Sequence, residues 1–339
     1  MKMIKTIRWF LFVCAAALML SACSTASTTA LVPAATANST NTVNPPTSQP
    51  ATPAPTIAAT KAQSPQPTIT KSVQLVFSSD RAGDYSDIYV MGLNGTGLTR
   101  LTQGDSNYFA GPWSPDNKKI LYTGFGLTHS YIGVMNADGS NQTILSQPAN
   151  SDEGFPAWSP DGSKIAFTSR RDGNNEIYLM NADGSNQTRV TSNPADDFGP
   201  TWSRDGSQIA FASDRDQTAG HYSIYILSLN NSQITRLTND NGIDYAPAWS
   251  PVGNLIAFRS DQSGASDIYV VNVDGSSLKN LTNGQGENWS PSWSRDGSQI
   301  VFQSNRDGNW EIYLMNADGS AQTNLTHIPA DDQYPFLQR

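Results

Sequence analysis

The pair Trp-Ser occurs five times in this chain, as Trp113-Ser114, Trp158-Ser159, Trp202-Ser203, Trp249-Ser250 and Trp293-Ser294, at intervals of 44 to 47 residues. Each pair is followed by a turn and a short apolar strand. The unit from Pro156 reads PAWSPDGSKIAFTSRRDGNNEIYLMNADGSNQTRVT, and the unit from Pro291 nearly copies it as PSWSRDGSQIVFQSNRDGNWEIYLMNADGSAQTNLT. A period of this length marks an array of one supersecondary unit, since a single unit cannot bury its own apolar face. A residue present in every unit therefore serves the architecture. Chemistry particular to this protein is expected where the units disagree.

Within a unit the strand signals are plain. Lys164 to Thr168 and Glu176 to Met180 are short, rich in β-branched and aromatic residues, and bounded by turn residues. Pro160-Asp161-Gly162 forms a tight turn in which proline presets φ and glycine accepts a positive one. Asp183-Gly184, repeated as Asp138-Gly139, Asp274-Gly275 and Asp318-Gly319, is the favoured dipeptide of a two-residue hairpin. With an inner strand at Ala157-Trp158 and a fourth strand from Gln187 to Thr191, each unit has four strands, and no stretch carries a helical period. Such units in series are propeller blades.

The repeats open at Gln74-Leu75-Val76-Phe77, which corresponds to the second strand of a blade with no inner strand before it. The C-terminal run from Ala330 to Leu337 aligns with Ala195 to Trp202, the approach to an inner strand. The chain is therefore predicted to be an all-β, six-bladed β-propeller of four-stranded antiparallel blades, closed by the C-terminal strand completing blade one. Leu337 stands where the other five blades have tryptophan. Ring closure removes the exposed edges that invite aggregation.

The N-terminal part reads differently. Lys2, Lys5 and Arg8 precede an apolar run from Trp9 to Leu20, and Leu20-Ser21-Ala22-Cys23 follows. A basic start, a short apolar core and small residues describe an export signal over 1–22, too short for a membrane span. The ending resembles a bacterial lipobox, which implies cleavage before Cys23 and lipid attachment there. The only other cysteine, Cys14, lies inside the signal, so the mature domain needs no disulfide. Residues 23–72 are dominated by Ser, Thr, Ala, Pro and Asn, and are expected to be a disordered tether reaching about 40 Å. The propeller is assigned to 73–339.

The strings Trp-Ser-Pro-Asp-Gly and Glu-Ile-Tyr-Leu-Met-Asn-Ala-Asp-Gly resemble the repeats of the TolB-like propeller family, over about 73 to 339, and not the Gly-His…Trp-Asp units of WD-repeat proteins. TolB itself carries an α/β domain before its propeller; here the lipobox and tether take that place, so the TolA-binding role of that domain is not implied. Binding of an envelope protein at the propeller face is.

The loops leading into the inner strands are acidic, with Glu153, Asp197, Asp244 and Asp332 as the recurring carboxylates. Two readings follow. The carboxylates form a ring at one channel mouth and hold a divalent cation such as calcium, or they pair between blades with Arg81, Arg171, Arg215 and Arg306, which recur at matching loop positions. The aspartates after Trp-Ser, Asp161, Asp205 and Asp296, are expected to cap their own turns. No other cofactor is expected.

The blades disagree elsewhere. Blade two replaces the Arg-Asp-Gly loop with a segment containing Phe125, His129 and Tyr131. Blade four inserts Gln217 to Tyr222, with His221 and Tyr222. Trp289 and Trp310 occupy loop ends where sister blades carry smaller residues. These seven residues, gathered on the acidic face, are the predicted partner-binding patch.

Enzyme signatures are missing. His129, His221 and His327 fall in separate blades without metal-ligand spacing, and there is no Gly-x-Ser-x-Gly elbow or phosphate-binding glycine loop. The formal net charge of −8, with no basic stripe, argues against nucleic acid and against direct contact with an anionic membrane. The sequence thus predicts a monomeric, lipid-anchored, extracytoplasmic binding protein for a protein or peptide partner. The alternatives are a glycan-binding or polysaccharide-cleaving propeller with an acidic metal-binding mouth, and a structural spacer without a ligand.

Overall fold

The computed structural model describes residues 73–216, 220–239 and 242–338. The signal at 1–22, Cys23 and the tether lie outside them, as do Gln217, Thr218 and Ala219 of the blade-four insertion. The described residues form six four-stranded antiparallel sheets. Blade three shows the plan: inner strand Glu153–Trp158, second strand Lys164–Ser169, third strand Glu176–Asn181 and outer strand Thr188–Arg189. The inner strands of blades two, four, five and six are Tyr108–Trp113, Asp197–Trp202, Asp244–Trp249 and Asn288–Trp293. Blade one takes its inner strand from the C-terminus, as expected: Asp332–Leu337 runs antiparallel to Gln74–Ser79, with Leu337 opposite Leu75 and Asp332 opposite Ser79.

Apolar side chains on both faces of each sheet are buried against the neighbouring blades. Phe77, Phe167, Phe211, Phe258 and Phe302 are all fully buried, each directly opposite a tyrosine of the third strand (Tyr89, Tyr178, Tyr225, Tyr269 and Tyr313). Blade two changes both partners. Tyr122 lies opposite Gly133, where an added Cβ would fall 2.2 Å from the tyrosine ring. The glycine is there because the ring fills its space.

In two blades the Trp-Ser tryptophan ties its blade to the one before. The indole N–H of Trp202 donates to the Ala157 carbonyl at 3.1 Å, and that of Trp293 to the Ala248 carbonyl at 2.9 Å, each one blade back. Leu337, 2% exposed, fills the sixth position by packing alone. The aspartate of the following turn caps it: Ser159 Oγ donates to Asp161 at 2.6 Å, and the Ser163 amide at 3.0 Å. Those donors hold the Asp161 carboxyl down at about 2. Blade five has Val252 at this place, and Ser250 Oγ turns to the Val252 carbonyl instead.

Strand register sets which residues share an end of the ring. Ser169 lies opposite both Glu153 and Glu176, so the starts of inner and third strands and the end of the second strand lie at one level. The Trp-Ser turns lie at the other. We call the first the upper face.

Candidate binding face

On the upper face Glu153, Asp197 and Asp332 stand in ion pairs. Glu153, Asp197, Asp244 and Asp332 are each fully buried. Arg215 Nη2 donates to both oxygens of Asp197, at 2.9 and 2.8 Å, Arg81 Nη2 to both oxygens of Asp332 at 2.8 Å, and Arg171 to Glu153. Blade six keeps the arginine but changes the acid: Arg306 Nη2 donates to Asn288 Oδ1 at 2.9 Å. Each arginine lies over its blade's buried Phe–Tyr pair, with ring distances of 4.4 to 5.6 Å. The pairing reading is thus the one that the geometry displays, with one correction. The partners belong to one blade, because the loop that carries the arginine folds back onto its own inner strand. Burial pushes Asp197 and Asp332 above the ordinary carboxylate value, against the pull of their arginines. Among the described residues no three His, Cys, Asp or Glu side chains gather closely enough to share a metal ion.

The predicted patch divides. Trp289 and Trp310 meet edge to face at 5.6 Å, and both are half-buried. Phe125 meets Phe109 at 4.7 Å. Tyr131 lies across Gly124, where a Cβ would come 2.3 Å from its ring, and His129 Nδ1 stands 3.6 Å from Asp152. His221 is half-buried. Tyr222 requires a correction. It is only 3% exposed, because its ring turns inward between Phe198 at 5.7 Å and Tyr245 at 4.5 Å. It supports the face from beneath.

A feature of the inner strands escaped the sequence reading. Every inner strand carries a register break against its second strand, near its middle. In five blades the third residue has positive φ: Phe155 (54°), Gly199 (60°), Ala246 (50°), Ser290 (52°) and Tyr334 (52°). Four of these are not glycine, so the ring retains local strain, a pattern concentrated at functional sites. The same five residues line the central cavity, a space of about 150 Å³ ringed below by Pro112, Pro156, Pro200, Pro247 and Pro291.

At the second or third position each blade carries one aromatic: Tyr334, Phe109, Phe155, Phe198, Tyr245 and Trp289, in blade order. Where the second position lacks one (Gln333 and Gly154), the third supplies it. Phe109 stacks on Tyr334 at 4.6 Å, and Phe155 meets Phe198 edge to face at 6.3 Å. All six are at least partly accessible, Phe155 most clearly at 40%. Phe155 and Tyr334 line the cavity itself, and with the other four they make an aromatic collar on the upper face around its mouth. A cation is built into it: the Arg259 guanidinium lies 5.2 Å from the Trp289 ring and 6.0 Å from Tyr245, and donates to Ser266 Oγ at 2.6 Å. Aligning the residues three and four places before each Trp-Ser tryptophan, and before Leu337, would have found the collar, but the alternation between positions hides it from a column-by-column reading.

Fold and face define a closed six-bladed propeller with a collared channel. The TolB β-propeller domain profile matches residues 113–238 and 218–337, and the chain belongs to that family. Among solved structures it is similar to TolB from Acinetobacter baumannii (22% identity, TM-score 0.69, 79% of this chain and 67% of that one). It is also similar to a protein described as TolB from Agrobacterium tumefaciens (25% identity, TM-score 0.62, 75% and 89%). The fold extends to Kuenenia stuttgartiensis hydrazine synthase at 17% identity (TM-score 0.64, 79% of this chain and 47% of that one). No curated protein matches the sequence.

Proposed function

We propose that this protein is a lipid-anchored, extracytoplasmic binding propeller whose aromatic collar receives a protein or peptide partner. The collar carries the reading. Six partly accessible aromatic side chains around one mouth, Phe155 the most open, offer apolar area at little conformational entropy, the composition of binding hot spots. The lipobox-like Leu20-Ser21-Ala22-Cys23 and the Pro/Thr-rich stretch after it would hold such a face away from a membrane.

Aromatic faces also stack on sugars, which keeps glycan binding as the second reading. Cleavage fits less well. Glycoside hydrolysis uses two carboxyl groups flanking the bond, whereas arginines hold Glu153, Asp197 and Asp332 inside their blades.

Pull-down from envelope extract tests the proposal. Native protein is expected to capture a discrete partner that a Phe155→Ala/Trp289→Ala variant of unchanged melting temperature captures at least tenfold less, as befits loss of two hot-spot aromatics. Identical capture by both would defeat it. Capture of polysaccharide in place of protein would favour the second reading.

A further inference from the structure

The outer rim of the ring is fastened by a glutamine in three blades. Gln142, Gln187 and Gln322 donate from Nε2 to the carbonyls of Leu101, Leu145 and Leu281, each one blade back, at 3.2, 3.5 and 2.9 Å. At the adjoining hairpin glycines, Gly139, Gly184 and Gly319, an added Cβ would meet the same three carbonyl oxygens at 2.9, 2.6 and 2.9 Å. Blade five breaks the pattern. Leu278 replaces the glutamine and is 44% exposed, and the Gly275 position stands 3.5 Å from the Leu237 carbonyl. The hairpin has moved off blade four, and a groove of about 480 Å³ lies between them, lined by Arg236, Leu237, Val271, Val273 and Leu278 among others.

The cation in this groove differs from its counterparts. Arg100 and Arg189, at the same place in blades one and three, are ion-paired to Asp87 and Glu176. Blade four has Ser223 where those acids stand, and Arg236 Nη2 donates to the serine hydroxyl at 2.9 Å. Arg236 also donates from Nε to the Thr238 carbonyl at 2.7 Å and makes no ion pair among the described residues; Asp274, which lines the same groove, accepts from Ser276 in its own turn. The groove therefore offers a guanidinium with no salt-bridge partner among the described residues beside an aliphatic wall, with Asp274 at its edge. It runs along the outer strand of blade four, Ile234–Arg236, which has hydrogen-bond partners on one side only.

We infer that this groove is a second docking site, separate from the collar, for an extended acidic segment of a partner protein. The segment adds to the blade-four edge, places a carboxylate on Arg236 and seats an aliphatic residue two positions away against Leu237 and Leu278. Strand addition supplies affinity, and alternating side chains supply selectivity.

The test is an array of defined octapeptides probed with the purified full-length protein. Peptides with Asp or Glu two residues from Val, Ile or Leu are expected to bind. Arg236→Gln should weaken them about tenfold, the scale of one charge-assisted hydrogen bond. Leu278→Gln, which restores the sister-blade fastening, should weaken them similarly without lowering the melting temperature. The collar variant Trp289→Ala should bind them normally, so failure here is distinct from failure at the collar. Absence of acidic binders, or binding indifferent to both groove variants, overturns the inference. So does self-association of the native protein that Leu278→Gln abolishes, which would make a second copy the occupant.

Discussion

A chain ending at Ala330 is expected to lose cooperative folding altogether. The deleted strand is the inner strand of blade one, and without it Leu75, Val76 and Phe77, all fully buried, lose their cover on the channel side. Arg81 loses Asp332 at the same time. Burying one such side chain contributes about 1.5–3 kcal/mol, so uncovering three of them and breaking the Arg81–Asp332 pair costs an amount comparable to the roughly 5–15 kcal/mol by which domains are stable. Circular dichroism during heating should show no sigmoidal transition. The milder Leu337→Ala should still fold, at a cost of about 2–5 kcal/mol. A truncated chain melting within a few degrees of the native one would mean that the ring does not depend on its closing strand.

The second large effect concerns the arginines inside the blades. Arg215 is 13% exposed and Asp197 fully buried, so Arg215→Met strands a buried carboxylate. The expected loss is about 3–5 kcal/mol in urea denaturation, much of it recovered in Arg215→Met/Asp197→Leu, since a buried pair is often replaceable by packed apolar groups. The pH dependence has a definite sign. Burial already holds Asp197 above its ordinary value, and removing Arg215 raises it further. An acid with a raised folded pKa gains stability as pH falls through that pKa and loses it as pH rises. The deficit of the single variant should therefore be larger at neutral pH than at pH about 4.5. Equal deficits in single and double variants would contradict the ion-pair account.

Architecture was legible in the sequence because repetition carries it. Trp-Ser spacing, Asp-Gly hairpins and the likeness of residues 330–337 to 195–202 state blade number and closure. The capping role of Asp161 was equally legible, since it depends only on residues two away. The binding face was legible in part. Trp289 and Trp310 break the repeat and meet in the fold, but Tyr222 breaks it to fill an interior gap. A departure from the repeat announces a difference without saying whether it faces solvent. The collar stayed hidden for the opposite reason: its residues look like unrelated single aromatics until the register break gathers two strand positions at one mouth. The blade four–five groove needed spatial neighbours as well, because Ser223 and Arg236 are partners only across the third and outer strands.

Photo-crosslinking tests the central claim, that the collar is the partner-binding surface, most directly. A benzophenone amino acid replaces Phe155, 40% exposed on the collar, or Val252, 38% exposed in a turn at the opposite end of the ring. Irradiation in envelope extract should give a discrete covalent adduct from position 155 and none from 252. An adduct from 252 without one from 155 would place recognition on the other face and contradict the account.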